Sequence, residues 1–145
     1  MKVRALFVGT CLLAVLAGAR AQSSPKFVNF DQLCGELSFV TPVSGGGMNS
    51  ELLKNVKLEL YPWEEGIVCC RNSHPFFKTY TDKEGTFEFK DVDPGRYWLV
   101  VHYQKKLFRL AIALDPNGPA NTACGYQLFD VDAKGHFTTG IRSEM

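Results

Sequence analysis

The sequence predicts an all-β fold, and three observations carry that prediction. Apolar residues alternate in twos through most of the chain, as in Val56, Leu58 and Leu60 set against Lys57, Glu59 and Tyr61. That is the period of a half-buried strand, not of a helix. Turn-forming clusters rich in Gly, Pro and Asp recur at short intervals, whereas no window of ordinary helix length carries a helical stripe. Eleven Phe, five Tyr and two Trp supply the aromatic volume that a core between two sheets needs. Many short strands between regular turns read as a single antiparallel β-sandwich of about seven to nine strands.

Taken in order, residues 22–33 form a short polar lead-in, and strands are expected at 34–40, 56–61, 66–71, 76–81, 86–90, 96–103, 107–114, 125–131 and 136–142. The first is followed by Ser44-Gly45-Gly46-Gly47, a flexible loop. Residues 49–54 could form one helical turn at most. Phe87 and Phe89 flank Glu88 on one face of their strand. Tyr97, Leu99 and Val101 oppose Trp98, Val100 and His102, so that strand is apolar on both faces and belongs in the middle of a sheet. Phe108, Leu110, Ile112 and Leu114 form the next stripe.

Two turns share one spacing. Asp82-Lys83-Glu84-Gly85 and Asp132-Ala133-Lys134-Gly135 both read Asp-x-x-Gly, each with a Phe two residues on. Gly at the fourth position tolerates a left-handed backbone. They are expected to be two similar hairpins. Asp93-Pro94-Gly95 fits a tight turn in which Pro sets φ, with Gly95 expected at positive φ.

Thr81-Asp82-x-x-Gly85-x-Phe87-x-Phe89 followed by Val92-x-Pro94-Gly95-x-Tyr97-x-Leu99-x-Val101 resembles the carboxypeptidase regulatory-like domain. That family belongs to the transthyretin-like, or prealbumin-like, sandwiches and is similar to the Cna B-type repeat. Asn55-Val56-x-Leu58-x-Leu60 looks like the strand preceding the motif. The resemblance covers roughly 34–114. It implies a transthyretin-like sandwich over 34–145, in which a regulatory-like core is extended by a C-terminal hairpin. It also implies an accessory, structural or binding role. The stretch 62–75 and the tail 120–145 depart from the pattern.

The N-terminus reads as a secretory signal. Lys2 and Arg4 precede an uncharged apolar run from Leu6 to Ala17, and Ala19-Arg20-Ala21 has the small residues that signal peptidase reads. The run is too short to span a bilayer. A signal peptide over 1–21, cleaved near Ala21, implies a secreted or periplasmic protein. Cleavage removes Lys2, Arg4 and Arg20, so 145 residues become 124 and the formal charge falls from +1 to −2. That is the size of one domain. A mildly acidic chain also lacks the basic footprint of a nucleic-acid binder. Four mature cysteines, Cys34, Cys69, Cys70 and Cys124, read as two disulfides in an exported chain. A bond between adjacent cysteines strains the backbone, so Cys69 and Cys70 are each expected to pair with Cys34 or Cys124. Metal binding by Cys69, Cys70 and His74 is disfavoured, because neighbours on a strand point to opposite faces.

No catalytic constellation emerges. His74, His102 and His136 have no nucleophile motif such as G-x-S-x-G beside them. A purine-pathway hydrolase shares the transthyretin-like fold, but its C-terminal Tyr-Arg-Gly-Ser is absent here. Asp82, Asp91 and Asp93 could gather at one end of the sandwich, yet the loop lacks the acidic density of a calcium site. No cofactor or metal is expected. Tyr61, Trp63, Phe76, Phe77 and Tyr80 cluster around 61–80 and form the candidate binding surface, since Trp and Tyr favour interfaces. The chain is thus expected to be a non-catalytic exported module binding a protein, peptide or glycan, with a small exported hydrolase as the alternative. Two or more histidines and a carboxylate in one concave pocket would favour the hydrolase; separate surfaces would favour the module.

Overall fold

The computed structural model describes residues 24–70, 73–117, 124 and 127–141. The expected signal segment 1–21 and its cleavage point lie outside the described residues. The chain is essentially all-β, with ten strands among the described residues: β1 (Val28–Phe30), β2 (Cys34–Val43), β3 (Gly47–Leu52), β4 (Lys57–Pro62), β5 (Phe77–Tyr80), β6 (Thr86–Glu88), β7 (Gly95–Tyr103), β8 (Lys106–Leu114), β9 (Gln127–Asp132) and β10 (Phe137–Ile141). The first sheet runs β1-β8-β7-β4-β5. The second runs β10-β9-β2-β3, with β6 also paired to β2. The strand that is apolar on both faces, β7, sits in the middle of the first sheet as expected.

One core lies between the sheets. Leu58, Leu60, Leu99, Val101 and Ile112 from the first sheet meet Leu37, Phe39, Phe129 and Val131 from the second. Each is an inward position of a period-two strand, so the alternation itself builds the core. Phe129 is fully buried, with its ring 5.3 Å from that of Phe30 and 5.1 Å from that of Phe87. Its burial contributes about 1.5–3 kcal/mol. Gly35 faces it across the sheet; a Cβ there would stand 2.6 Å from the Gln127 carbonyl oxygen and 2.8 Å from the Phe129 ring. Only a residue without a side chain lets β2 and β9 run so close.

Both sheets are mixed, which corrects the antiparallel expectation. β1 runs parallel to β8, and β9 runs parallel to β2. Sequence periodicity marks strands and tight hairpins, but a parallel pair is made by a chain that leaves one sheet and returns from elsewhere. The lead-in contributes β1 to the first sheet, so the folded domain begins ahead of Cys34. Residues 49–54 hold no helical turn; β3 covers most of them, and all six of its residues are exposed. The expected strand at 66–71 is absent from its described residues, 66–70. Gly95 opens β7 and is not among the residues at positive φ; Asp91 takes that conformation instead, at φ +55°.

Candidate functional site

The two Asp-x-x-Gly turns form one repeated device. Asp82 Oδ1 accepts from the amides of Glu84 (2.9 Å) and Thr86 (2.8 Å), and Oδ2 accepts from the Thr86 hydroxyl (2.5 Å). Asp132 Oδ1 accepts from the amides of Lys134 (2.8 Å) and His136 (2.9 Å), while Oδ2 stands 3.0 Å from His136 Nδ1. Gly85 and Gly135 sit at φ +78° and +89°. The Thr86 bonds, chiefly from its hydroxyl, hold the Asp82 carboxyl below the usual range; the His136 backbone bond does the same for Asp132. Both carboxylates thus organise a turn. Among the described residues no group of His, Cys, Asp or Glu is arranged to hold a metal ion.

Chemistry concentrates on the outer face of the first sheet, turned away from the core. Register fixes it residue by residue. Lys57 lies opposite His102, Glu59 opposite Val100, and Tyr61 opposite Trp98 across β4 and β7. Trp98, Val100 and His102 continue onto Ala111, Arg109 and Leu107 of β8. Lys78 of β5 flanks Glu59 on its other side.

Glu59 is 3% exposed although it points away from the core. Its carboxylate accepts from His102 Nε2 at 2.5 Å and from the Tyr61 hydroxyl at 3.0 Å, with Lys57 Nζ at 3.2 Å and Lys78 Nζ at 3.8 Å. Burial alone would push its carboxyl up, but the bonds from His102, Lys57 and Tyr61 outweigh that and hold it below the usual range. Burial, then the adjoining carboxylate, pushes the Tyr61 phenol up.

A smaller apolar cluster lies beside this network. Val100, Tyr61 and Cys69 are buried there, with Cys70 and Trp98 packed against them. Cys69 and Cys70 are bonded to each other, and Cys34 is bonded to Cys124 with Cα atoms 5.1 Å apart. The expected pairing is therefore corrected. Cys69 and Cys70 lie on the outer face of the first sheet, with that sheet between them and Cys34 in the second. Residues 63–70 form no strand, and Cys70 adopts a left-handed φ of +73°. The strand alternation that would hold neighbouring thiols apart therefore does not apply.

The five candidate aromatics do not share one surface. Phe76 and Tyr80 are exposed, Tyr61 is buried under the disulfide-bearing loop, and Phe77 packs on the core side. Trp63 packs edge-to-face on Phe27 at the end of the face: its ring centroid lies 5.2 Å from that of Phe27, and the Arg96 guanidinium stands over the Trp63 and Phe27 rings at 5.5 and 4.8 Å. Sequence reading missed Glu59, Trp98 and Arg109. Their outward positions were visible in the alternation, but the register that brings them together was not.

Between the 63–69 segment and β7 and β8 lies an open trough of about 870 Å³, lined by Trp63, Trp98, Cys69, Arg109, Glu64 and Glu65 among others. Among the described residues the side chains of Arg109, Glu64 and Glu65 have no ion pair or hydrogen bond, and buried Trp98 Nε1 has no acceptor. The three histidines are dispersed. His102 joins Glu59 in the first sheet, His136 joins Asp132 at a turn of the second, and His74 is exposed in the connection before β5. Comparison with protein-family models, with curated proteins and with solved structures finds no match for this chain.

Proposed function

We propose that this chain is an exported, non-catalytic β-sandwich module whose role is to bind a protein, peptide or glycan through the outer face of its first sheet. The observation that carries this reading is the contrast on that face. Glu59, Tyr61 and His102 are engaged with one another, while the adjoining trough offers two indole rings and polar groups without partners. A pocket of this size with a few convergent polar groups is the ordinary form of a ligand site. Export is supported by the signal-like N-terminus and by the Cys34–Cys124 disulfide. Among the described residues no helix is long and apolar enough to cross a membrane.

The carboxypeptidase regulatory-like, transthyretin-like assignment stays within the same proposal. It is supported by the motif residues: Phe87, Phe89, Leu99 and Val101 all enter the core, and the Tyr97 hydroxyl closes the Pro-Gly turn by donating to the Asp93 carbonyl at 2.8 Å.

The hydrolase alternative has one observation in its favour, the 2.5 Å contact of His102 with a buried carboxylate. A carboxylate that orients an imidazole supplies two of a triad's three members. No second histidine adjoins it. The test is turnover of ester, amide and glycoside probes by the oxidised mature protein. The module reading expects none. Turnover that disappears in His102→Ala would replace it with the hydrolase.

A further inference from the structure

Resting on the binding-module reading, we propose that the trough on the outer face of the first sheet binds a neutral glycan. Its walls combine three kinds of group. Trp63 and Trp98 offer flat apolar faces, and the Cys69–Cys70 disulfide adds a rigid apolar patch. The Arg109 guanidinium is a donor without an acceptor among the described residues, and the Glu64 and Glu65 carboxylates are acceptors without donors.

That mixture selects the ligand by chemistry. A purely apolar ligand would leave two carboxylates and a guanidinium desolvated and unpaired. A polyanion would face two carboxylates against one guanidinium, and a simple cation would meet Arg109. An extended peptide commonly docks by adding a strand to a sheet edge. This trough lies on the face of β7 and β8, both of them interior strands of their sheet. A neutral sugar has an apolar C–H face for an indole ring. Its hydroxyls both donate and accept, so a neutral glycan can meet Arg109 as well as Glu64 and Glu65.

The neighbourhood keeps this arrangement rigid. Arg96 locks Trp63 against Phe27, and Cys69 is anchored on Tyr61 and Val100, so the walls flank a trough that exists before a ligand arrives. Pre-formed walls lower the cost of binding. The disulfide is then a positioning element: with both cysteines changed to serine, the 63–69 wall should loosen and affinity should fall.

The test titrates the oxidised mature protein with neutral hexasaccharides, namely cellohexaose, xylohexaose, laminarihexaose, maltohexaose and chitohexaose. Heat and tryptophan emission are followed together. Polygalacturonate, choline and a proline-rich peptide serve as comparison ligands. At least one neutral hexasaccharide should bind and shift the emission. Trp63→Ala should weaken it about tenfold, the loss of one stacked ring. Arg109→Ala should weaken it by a similar factor, through loss of a charged donor. Arg109 is exposed, so that variant keeps the fold, which unchanged thermal unfolding checks.

Failure to bind any hexasaccharide overturns the glycan inference, as does sugar binding indifferent to Trp63→Ala and Arg109→Ala. Peptide, choline or polygalacturonate bound in preference, and lost in those same variants, also overturns it while leaving the binding-module reading in place. Release of new reducing ends from a bound hexasaccharide would instead remove the non-catalytic reading and leave the trough as a sugar site.

Discussion

The two faces of the first sheet are built from the same strands and do opposite work. The inner face of β4, β7 and β8 is Leu, Val, Ile, Phe and one Tyr, buried against the second sheet. The outer face alternates with it residue by residue, yet carries a buried glutamate, an imidazole, two lysines and a tryptophan under a disulfide-bearing loop. Leu99 and Val100 show the difference most sharply. They are neighbours in sequence, both are fully buried, and they point into different clusters. A strand apolar on both faces is therefore central here for two reasons: it closes the main core, and it provides the floor of a second, smaller packing site.

Removing side chains from each face tests whether the division is energetic as well as geometric. Leu99→Ala should cost about 2–5 kcal/mol, toward the upper end because the site is closed on all sides by both sheets. Urea midpoints at constant slope measure it. Val100→Ala, one residue away, should cost less, about 1.5–2 kcal/mol, because it removes two buried methyl groups where Leu99→Ala removes a whole isopropyl group. Equal costs would mean that the outer cluster is as rigid as the core, and the distinction between the two faces would fall.

Between those two lies Glu59. Glu59→Ala strands the Tyr61 hydroxyl and His102 without their shared acceptor and should cost about 3 kcal/mol at neutral pH. The pH dependence carries the sign of the interaction. The folded carboxyl is held below its ordinary value of 4.5. Its contribution is therefore complete above that value and is lost as pH falls through the lower, folded one. Glu59→Gln should accordingly narrow its gap from the unmodified protein as pH drops below about 4.5, the ordinary carboxylate range. Asp82 and Asp132 titrate in the same direction and keep some acid sensitivity in the variant. A gap that widens in acid would show that burial, not hydrogen bonding, dominates at Glu59.

The inner face was legible in the sequence because period two and burial are the same fact seen twice. Strands β4, β5, β6, β7 and β8 follow from it, as do the central place of β7 and the twin Asp-x-x-Gly turns; the strand expected at 66–71 does not form among its described residues. Three things were not legible. The parallel pairings β1–β8 and β2–β9 depend on where the chain crosses between sheets, which no local pattern records. The short exposed strand β3 has no buried face to generate alternation. The Cys69–Cys70 bond depends on a left-handed φ at Cys70, a conformation that a residue with a side chain rarely announces. The trough shared the second difficulty and added one of its own: Trp98 and Arg109 are conspicuous only once the register places them beside the 63–69 segment.

The smallest effect is expected from the lysines that flank Glu59, and it separates a satisfied carboxylate from a cohesive charge network. Lys57 lies 3.2 Å from Glu59 and its side chain is 34% exposed, while Lys78 lies 3.8 Å away and is 59% exposed. An exposed ammonium is well solvated, loses entropy when held in one geometry and is screened by salt, so such a pair contributes little. Lys78→Ala should cost under about 0.5 kcal/mol, and Lys57→Ala should cost more than Lys78→Ala but stay below about 1 kcal/mol. Both costs should shrink in high salt, while that of Glu59→Ala should change less, because the carboxylate itself is buried and its closest bonds are the short ones from His102 and Tyr61. If Lys78→Ala approaches Glu59→Ala in cost, the outer face is held by long-range charge. If it does not, His102 and Tyr61 alone satisfy the carboxylate, and the lysines remain free to meet solvent or a ligand.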